Sequence, residues 1–212
     1  LGGAITQFAV ATRNLHLVEE TVHTESLAET IFEIALQEEG DQGLFLYRNE
    51  TSREKVTDFF IDLTGNRDTA LPILQFSEKY EIPLSLAFSL AWAESRYNPR
   101  AVNHNSSSID RGLFQLNSRS FPNLTENEYF NPWANAQHGL KYLRYCLDEG
   151  GNEIVGLAMY NAGRSRVTKQ GAPLITLEYI SLILDYKRGL ELRLKEHFSS
   201  PALASASNPG LD

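Results

Sequence analysis

Cysteine is almost absent. Cys146, alone in 212 residues, has no partner for an internal disulfide and no second thiol for a metal site. Its spacing from Leu143 and Leu147 marks it instead as a small hydrophobe facing a core. Positive charge is also short: 19 Lys and Arg stand against 27 Asp and Glu, for a net charge of -8 and a pI near 5.2. Phosphate binding needs a positive field, and the basic residues here are scattered, so nucleic acid is excluded as a partner. No apolar run approaches the roughly 20 residues that a bilayer-spanning helix requires, and no internal repeat is visible. The five histidines lack ligand spacing alongside acids or thiols, so no metal or other cofactor is expected. The first residue, Leu1, is not an initiator methionine; a removed secretory signal and an arbitrary boundary fit this equally well.

What the chain does have is 42% hydrophobic residues, enough for one good-sized core with an appended region. Their periodicity is helical almost throughout, which predicts an all-α fold. Residues 1–20 read as an irregular or partly helical lead-in. From Glu25 to Glu39, Leu27, Ile31, Ile34 and Ala35 recur at helical spacing until Gly40-Asp41-Gln42-Gly43 ends the pattern. Thr51 and Glu54 are spaced as a capping box, opening a second helix with Val56, Phe59, Phe60 and Leu63 inward, closed by Thr64-Gly65-Asn66. A third helix spans Asn66 to Tyr80, with Pro72 expected in its first turn and Ile73, Leu74 and Phe76 inward.

Pro83 starts the next helix, apolar at nearly every position from 84 to 93 and therefore buried on most sides. Between Asn98 and Pro132 lies a long Asn-, Ser- and Pro-rich segment, with room for a short hairpin within 103–118. Loops of this length in compact domains are more often functional than idle. Asn131-Pro132 then caps a helix with Ala136, Leu140, Leu143 and Leu147 inward, stopped by Gly150-Gly151. Asn152 caps a short helix reaching Asn161, with Gly163 after its end, and a last helix runs from about Thr176 to Phe198. Ser199 to Asp212 reads as a frayed tail. Three parts result: an N-terminal helical region over 1–65, a main domain over 66–198 and a tail over 199–212.

Three short runs carry chemistry. The buried helix ends in Ala91-Trp92-Ala93-Glu94-Ser95, followed by Arg96-Tyr97-Asn98-Pro99. Burial and the negative end of the helix would both raise the Glu94 pKa and make it a proton donor near neutral pH, unless it simply reaches solvent. The second run, Ser108-Ile109-Asp110-Arg111-Gly112-Leu113-Phe114-Gln115-Leu116-Asn117, places Asp110 sixteen positions after Glu94. Asp110 fits either a second carboxylate facing Glu94 across a cleft or a cap for a short helix over Gly112–Leu116. The third, Ala158-Met159-Tyr160-Asn161-Ala162-Gly163, offers a tyrosine able to bond Glu94 or to sit in the core.

In this order, Glu94-Ser95 with Asn98-Pro99-Arg100-Ala101, then Gly112-Leu113-Phe114-Gln115-Leu116, then Ala158 to Gly163, the chain resembles the soluble lytic transglycosylases of bacteria, over about residues 70–190. The resemblance implies a lysozyme-like fold, here with an additional N-terminal helical region. It implies cleavage of the β-1,4 MurNAc–GlcNAc bond of peptidoglycan without water, to 1,6-anhydro ends, with Glu94 as the single catalytic acid and base. Asp110, Phe114, Gln115, Tyr160 and Asn161 become substrate-binding residues, joined by Tyr179 of the weaker match Thr176–Tyr179. Gln115 would serve N-acetyl and hydroxyl groups of an amino sugar, or else bond loop backbone.

Two departures stand out. Ser108 to Gly112 with Gln115 to Arg119 is similar to animal-type lysozymes, in which the aspartate is a second carboxylate, so hydrolysis by Glu94 and Asp110 stays open. A non-catalytic glycan-binding scaffold is a third reading, set against by the buried acid. Ile175 stands where the family usually has glutamate. The resemblance implies a periplasmic or otherwise extracytoplasmic bacterial protein acting on peptidoglycan strands. Residues 1–65 have no such likeness; they brace the domain or dock a partner from the cell-wall machinery.

Overall fold

The computed structural model describes residue 27, residues 30–35 and residues 41–199, and it is mainly α, as expected. The expected lead-in over 1–20 and the tail beyond Ser199 lie outside the described residues.

The helix expected over Glu25–Glu39 is seen at 30–35, with its inward face shifted: Ala35 and Ile31 pack on the core as expected, and Phe32 joins them. Phe32 and Ala35 are buried, whereas Ile34 is 47% and Leu27 40% exposed. The larger aromatic surface takes the core position, and Phe32 stacks on Phe198 with ring centroids 5.3 Å apart.

The Gly40–Gly43 stretch does not merely end that helix. Asp41 caps a further short helix, α1 (Gln42–Arg48), by accepting from the Leu44 N–H at 2.7 Å. Helix α2 (Glu50–Thr64) follows at once. Its cap is Asn49, which accepts from the Thr51 N–H, and not Thr51 as the capping-box spacing suggested. Val56, Phe59 and Phe60 are buried as expected, and Gly65 closes the helix in the left-handed conformation. Helix α3 (Arg67–Lys79) is capped by Asn66, and Pro72 lies in its second turn rather than its first. Ile73, Leu74 and Phe76 pack inward.

Helix α4 (Leu84–Ser95) is buried at every position from Leu84 to Ala91 and forms the central rod of the molecule. Phe88 stacks on Phe60 of α2 with centroids 4.0 Å apart, so the hydrophobic core runs across residue 65 without a break. Three antiparallel strands follow: β1 (Val102–His104), β2 (Ile109–Arg111) and β3 (Leu116–Asn117), in the order β1-β2-β3. The short helix expected over Gly112–Leu116 is a turn joining β2 to β3.

Helix α5 (Glu126–Phe130) was not separated by the sequence pattern, although Thr125 and Glu128 complete a capping box in both directions. Helix α6 (Pro132–Gly150) opens on Asn131-Pro132 and buries Ala136, Leu140, Leu143, Cys146 and Leu147 as expected. Gly139 lets it approach the turn: a Cβ there would lie 2.5 Å from Cβ of Phe114. Helix α7 (Glu153–Ala162) is capped by Asn152. Helix α8 (Arg164–Gln170) has no buried residue, so no apolar stripe announced it. Helix α9 (Leu174–Ser199) returns along α4, burying Ile180, Ile183, Leu190, Leu194 and Phe198.

Candidate active site

The end of α4 meets the Gly112–Gln115 turn through Ser95. Its hydroxyl is buried and lies 3.1 Å from the Ala91 carbonyl and 2.8 Å from that of Leu113. The turn is held from its other side by the buried Asn135 side chain of α6. That amide accepts from the Phe114 N–H at 2.8 Å and donates to the carbonyls of Arg111 and Tyr129 at 3.1 and 2.8 Å. Gly112 sits between them at φ 79, and any Cβ there would strike the Tyr129 carbonyl and the Asn135 amide. The turn is therefore fixed from both sides, and with it the place of every group it presents.

Glu94, one residue before Ser95, is partly buried at the floor of a cleft of about 790 Å³. Burial pushes its carboxyl from the usual 4.5 up to about 7, the negative charge of Asp110 adds to the rise, and a hydrogen bond from Tyr179 opposes it. That bond runs from the Tyr179 hydroxyl to Oε1 of Glu94 at 2.5 Å. The sequence had offered Tyr160 for this contact. Tyr160 instead donates to the carbonyl of Phe114 at 2.9 Å, tying α7 to the turn. Burial holds both tyrosine hydroxyls well above 10, so they stay protonated donors at neutral pH.

Asp110 lines the same cleft from the middle strand. The register sets it opposite Asn103 on β1 and Asn117 on β3. Directly paired residues share one face of a sheet, so all three side chains point to the cleft. Asn117 donates to Oδ1 of Asp110 at 2.6 Å and Asn105 to Oδ2 at 2.7 Å. The expected capping role does not apply, because no helix follows Asp110 at Gly112–Leu116.

Gln115 lines the cleft with a left-handed backbone, φ 46, unusual for a residue with a side chain. Its amide nitrogen is occupied by the carbonyls of Ala101 at 3.2 Å and Gly112 at 2.9 Å. Asn161 also lines the cleft, and its Oδ1 accepts from the buried Thr176 hydroxyl at 2.8 Å, which ties α7 to α9. Phe114 is a different case. Its side chain is fully buried in the core, so only its carbonyl serves the site. Ile175 stands on the cleft rim, 73% exposed.

Several cleft residues escaped the sequence reading: Asn103, Asn105, Asn117, Arg119, Phe121 and Tyr142. Asn103 and Asn117 follow from their pairing with Asp110 in the sheet, and Asn105 stands one residue past β1, a signal too brief to read before the hairpin is placed. Phe121 and Tyr142 meet edge to face with centroids 5.9 Å apart, and Tyr142 leans on Tyr160 at 5.3 Å, giving the cleft one aromatic wall. Among the described residues, no group of histidine, cysteine, aspartate and glutamate is placed to hold a metal ion.

Residues 72–174 match the family described as Transglycosylase SLT domain. That stretch, just under half of the chain, is similar to a transglycosylase SLT domain, of the lysozyme-like superfamily. All of Glu94, Asp110, Gln115, Tyr160 and Asn161 fall inside the matched stretch; Tyr179 lies just beyond it. Among curated proteins, the chain is similar to protein IpgF of Shigella flexneri, 32% identical over 100 residues, 44% of this chain and 66% of that protein. It thus spans just under two thirds of that relative's length. No solved structure gives a significant match.

Proposed function

We propose that the protein is a lytic transglycosylase of peptidoglycan, cutting the β-1,4 bond between N-acetylmuramic acid and N-acetylglucosamine. The observation that carries this reading is Glu94: a carboxyl with a pKa of about 7, at the floor of a cleft in an SLT-like domain, oriented by a tyrosine hydroxyl. Such a group is protonated in a large fraction near neutral pH and can give its proton to the departing glycosidic oxygen. Positive charge then develops at C1 of the muramic residue. The ionised Glu94 takes the proton of the same sugar's C6 hydroxyl, and that oxygen closes on C1 to form the 1,6-anhydro ring. One C–O bond breaks, one forms, and water takes no part.

Tyr179 positions Glu94, Gln115 and Asn161 face the glycan, and Tyr160 holds the turn beneath them. The likeness to SLT domains also favours an extracytoplasmic place beside the wall. No helix among the described residues is long and apolar enough to cross a membrane. Residues 1–65 are proposed to brace the domain, since Phe60 stacks in its core.

A second reading is favoured by one observation, the sharing of the cleft by Asp110 and Glu94. With Asp110 as nucleophile or charge stabiliser and water as acceptor, the enzyme would be a muramidase, which calls for carboxyl groups about 5 Å apart. Both Asp110 oxygens already accept from asparagine amides, which leaves the carboxylate less free to attack. Mass analysis of products from purified peptidoglycan separates the two. Terminal muramic residues one water lighter than the hydrolysed form are expected; reducing ends would replace this proposal by hydrolysis. Glu94→Gln should abolish release of soluble fragments, and release at the wild-type rate would remove Glu94 from the chemistry.

A further inference from the structure

Among the described residues that line the cleft, Arg119 is the one cation, set against the two carboxylates of Glu94 and Asp110. Its guanidinium is exposed and, among the described residues, forms no ion pair. Its backbone is not free, however. The Arg119 N–H donates to Oδ1 of Asn117 at 2.9 Å, while Nδ2 of the same asparagine holds Asp110 at 2.6 Å. The N–H groups of Ser120 and Phe121 both return to the Asn117 carbonyl at 3.0 Å, and the Phe121 ring is packed edge to face on Tyr142. A flexible charged side chain is thus mounted on a fixed turn, beside the aromatic wall of the cleft.

The surroundings make this charge unusual. The chain carries a net charge of -8, and Asp110 adds its own negative charge inside the cleft. A neutral polysaccharide would need no cation there. An acidic polymer would be repelled, unless a positive group met its charge. Guanidinium presents parallel N–H donors that match a carboxylate in a two-point contact, and in a cleft this gives specificity as well as attraction.

We infer that Arg119 is a specificity residue that pairs with a carboxylate carried by the glycan. This rests on the murein reading above and sharpens it. The carboxylate has two sources: the lactyl group of a muramic residue that has lost its stem, or the stem peptide itself, whose amide bond takes up the lactyl carboxyl. Neutral chito-oligomers have neither.

The test uses Glu94→Gln full-length protein as parent, so that bound glycan is not consumed, and the double variant Glu94→Gln with Arg119→Gln. Binding is measured at low salt by calorimetry or tryptophan fluorescence to three probes: chitotetraose, glycan stripped of its stems by an amidase, and soluble stem-bearing glycan. Arg119→Gln is expected to weaken a carboxylate-bearing probe about three- to tenfold, as for a part-exposed charged contact, and to leave chitotetraose unchanged. Weakening of the stripped probe alone assigns the lactyl carboxylate, which is free only where the stem has been removed; weakening of the stem-bearing probe alone assigns the peptide, and weakening of both shows that Arg119 takes whichever carboxylate the glycan presents. Arg119→Lys should recover part of the loss, because it keeps the charge and forfeits the two-point geometry.

Equal weakening of chitotetraose would make Arg119 a general support of the cleft and overturn the inference. Unchanged binding of all three probes would overturn it as well, with the murein reading left standing. Failure of the parent to bind any glycan would instead overturn the murein reading, and the inference with it.

Discussion

Tyr179→Phe isolates the contact on which the acidity of Glu94 turns. The substitution keeps a ring that packs against the core and removes only the hydroxyl that donates to Oε1 of Glu94. In the native protein this bond lowers the Glu94 pKa while burial and Asp110 raise it, with the balance at about 7. A hydrogen bond to a charged group contributes about 1.5–3 kcal/mol, and about 1.36 kcal/mol corresponds to one pH unit. The protonated acid loses a weaker bond at the same time, so the lower end of that range applies and Glu94 should titrate about one pH unit higher. The sign for activity follows from the first step of the proposed reaction, which needs Glu94 protonated. On that proposal turnover is present below its pKa and declines above it. The alkaline limb of kcat/KM, followed by clearing of a peptidoglycan suspension across neutral and alkaline pH, should therefore move upward by about one pH unit in Tyr179→Phe. A limb that stays in place, or moves toward acid, would refute the assignment of Tyr179 as the group that tunes Glu94.

Glu94→Gln should stabilise the protein in alkali. The folded carboxyl titrates at about 7 against 4.5 for the ordinary group, so its stabilising share is whole below 4.5 and is lost as pH rises through 7, by up to about 3 kcal/mol. Thermal unfolding at pH about 8 should show a raised Tm for the glutamine variant, with the gap closing near pH 4, and a gap independent of pH would contradict the burial cost. Gly112→Ala should cost about 3 kcal/mol or more, combining positive φ with a clash into the Tyr129 carbonyl and the Asn135 amide. A wild-type urea midpoint for that variant would show that the turn is not fixed as described.

Helices α2, α3, α4, α6, α7 and α9 were legible because each carries an apolar stripe or an unbroken apolar run with a recognisable cap or stop. Helix α1 was hidden by its own glycine and by Asp41, which looks like a terminator and acts as a cap. Helices α5 and α8 are too short and too exposed to show a stripe. Within the site, Glu94 was readable from local pattern alone, since a carboxyl ending an apolar run must be either costly or useful. Its partner was not. Tyr160 and Tyr179 are both near the cleft in sequence logic, and only the docking of α9 along α4 decides that Tyr179 reaches Oε1. Phe114 misled for the opposite reason: its neighbours in the motif face the cleft, but the missing side chain at Gly139 opens a core socket that takes the ring.

The acid also depends on residues far from the cleft. Pro83 precedes α4 and supplies no side-chain cap, so the first N–H of this central helix would be buried and unpaired. It is met by Oδ1 of Asp41, 3.3 Å from the Leu84 N–H and 43 residues away in sequence, the same oxygen that caps α1. One residue on, the Ser85 hydroxyl bonds Glu191 of α9 at 3.0 Å, and at the far end Ser95 is pinned to the turn. Helix α4 is thus held at both ends by polar contacts with other segments, while its sides are held by apolar and aromatic packing. A helix that is apolar all round can slide or rotate with little loss of burial. Polar contacts at its ends remove that freedom, and they set the register that brings Glu94 to within reach of Tyr179. This gives the bracing role proposed for the N-terminal region a definite mechanism, with Asp41 fixing the rod on which the acid is carried.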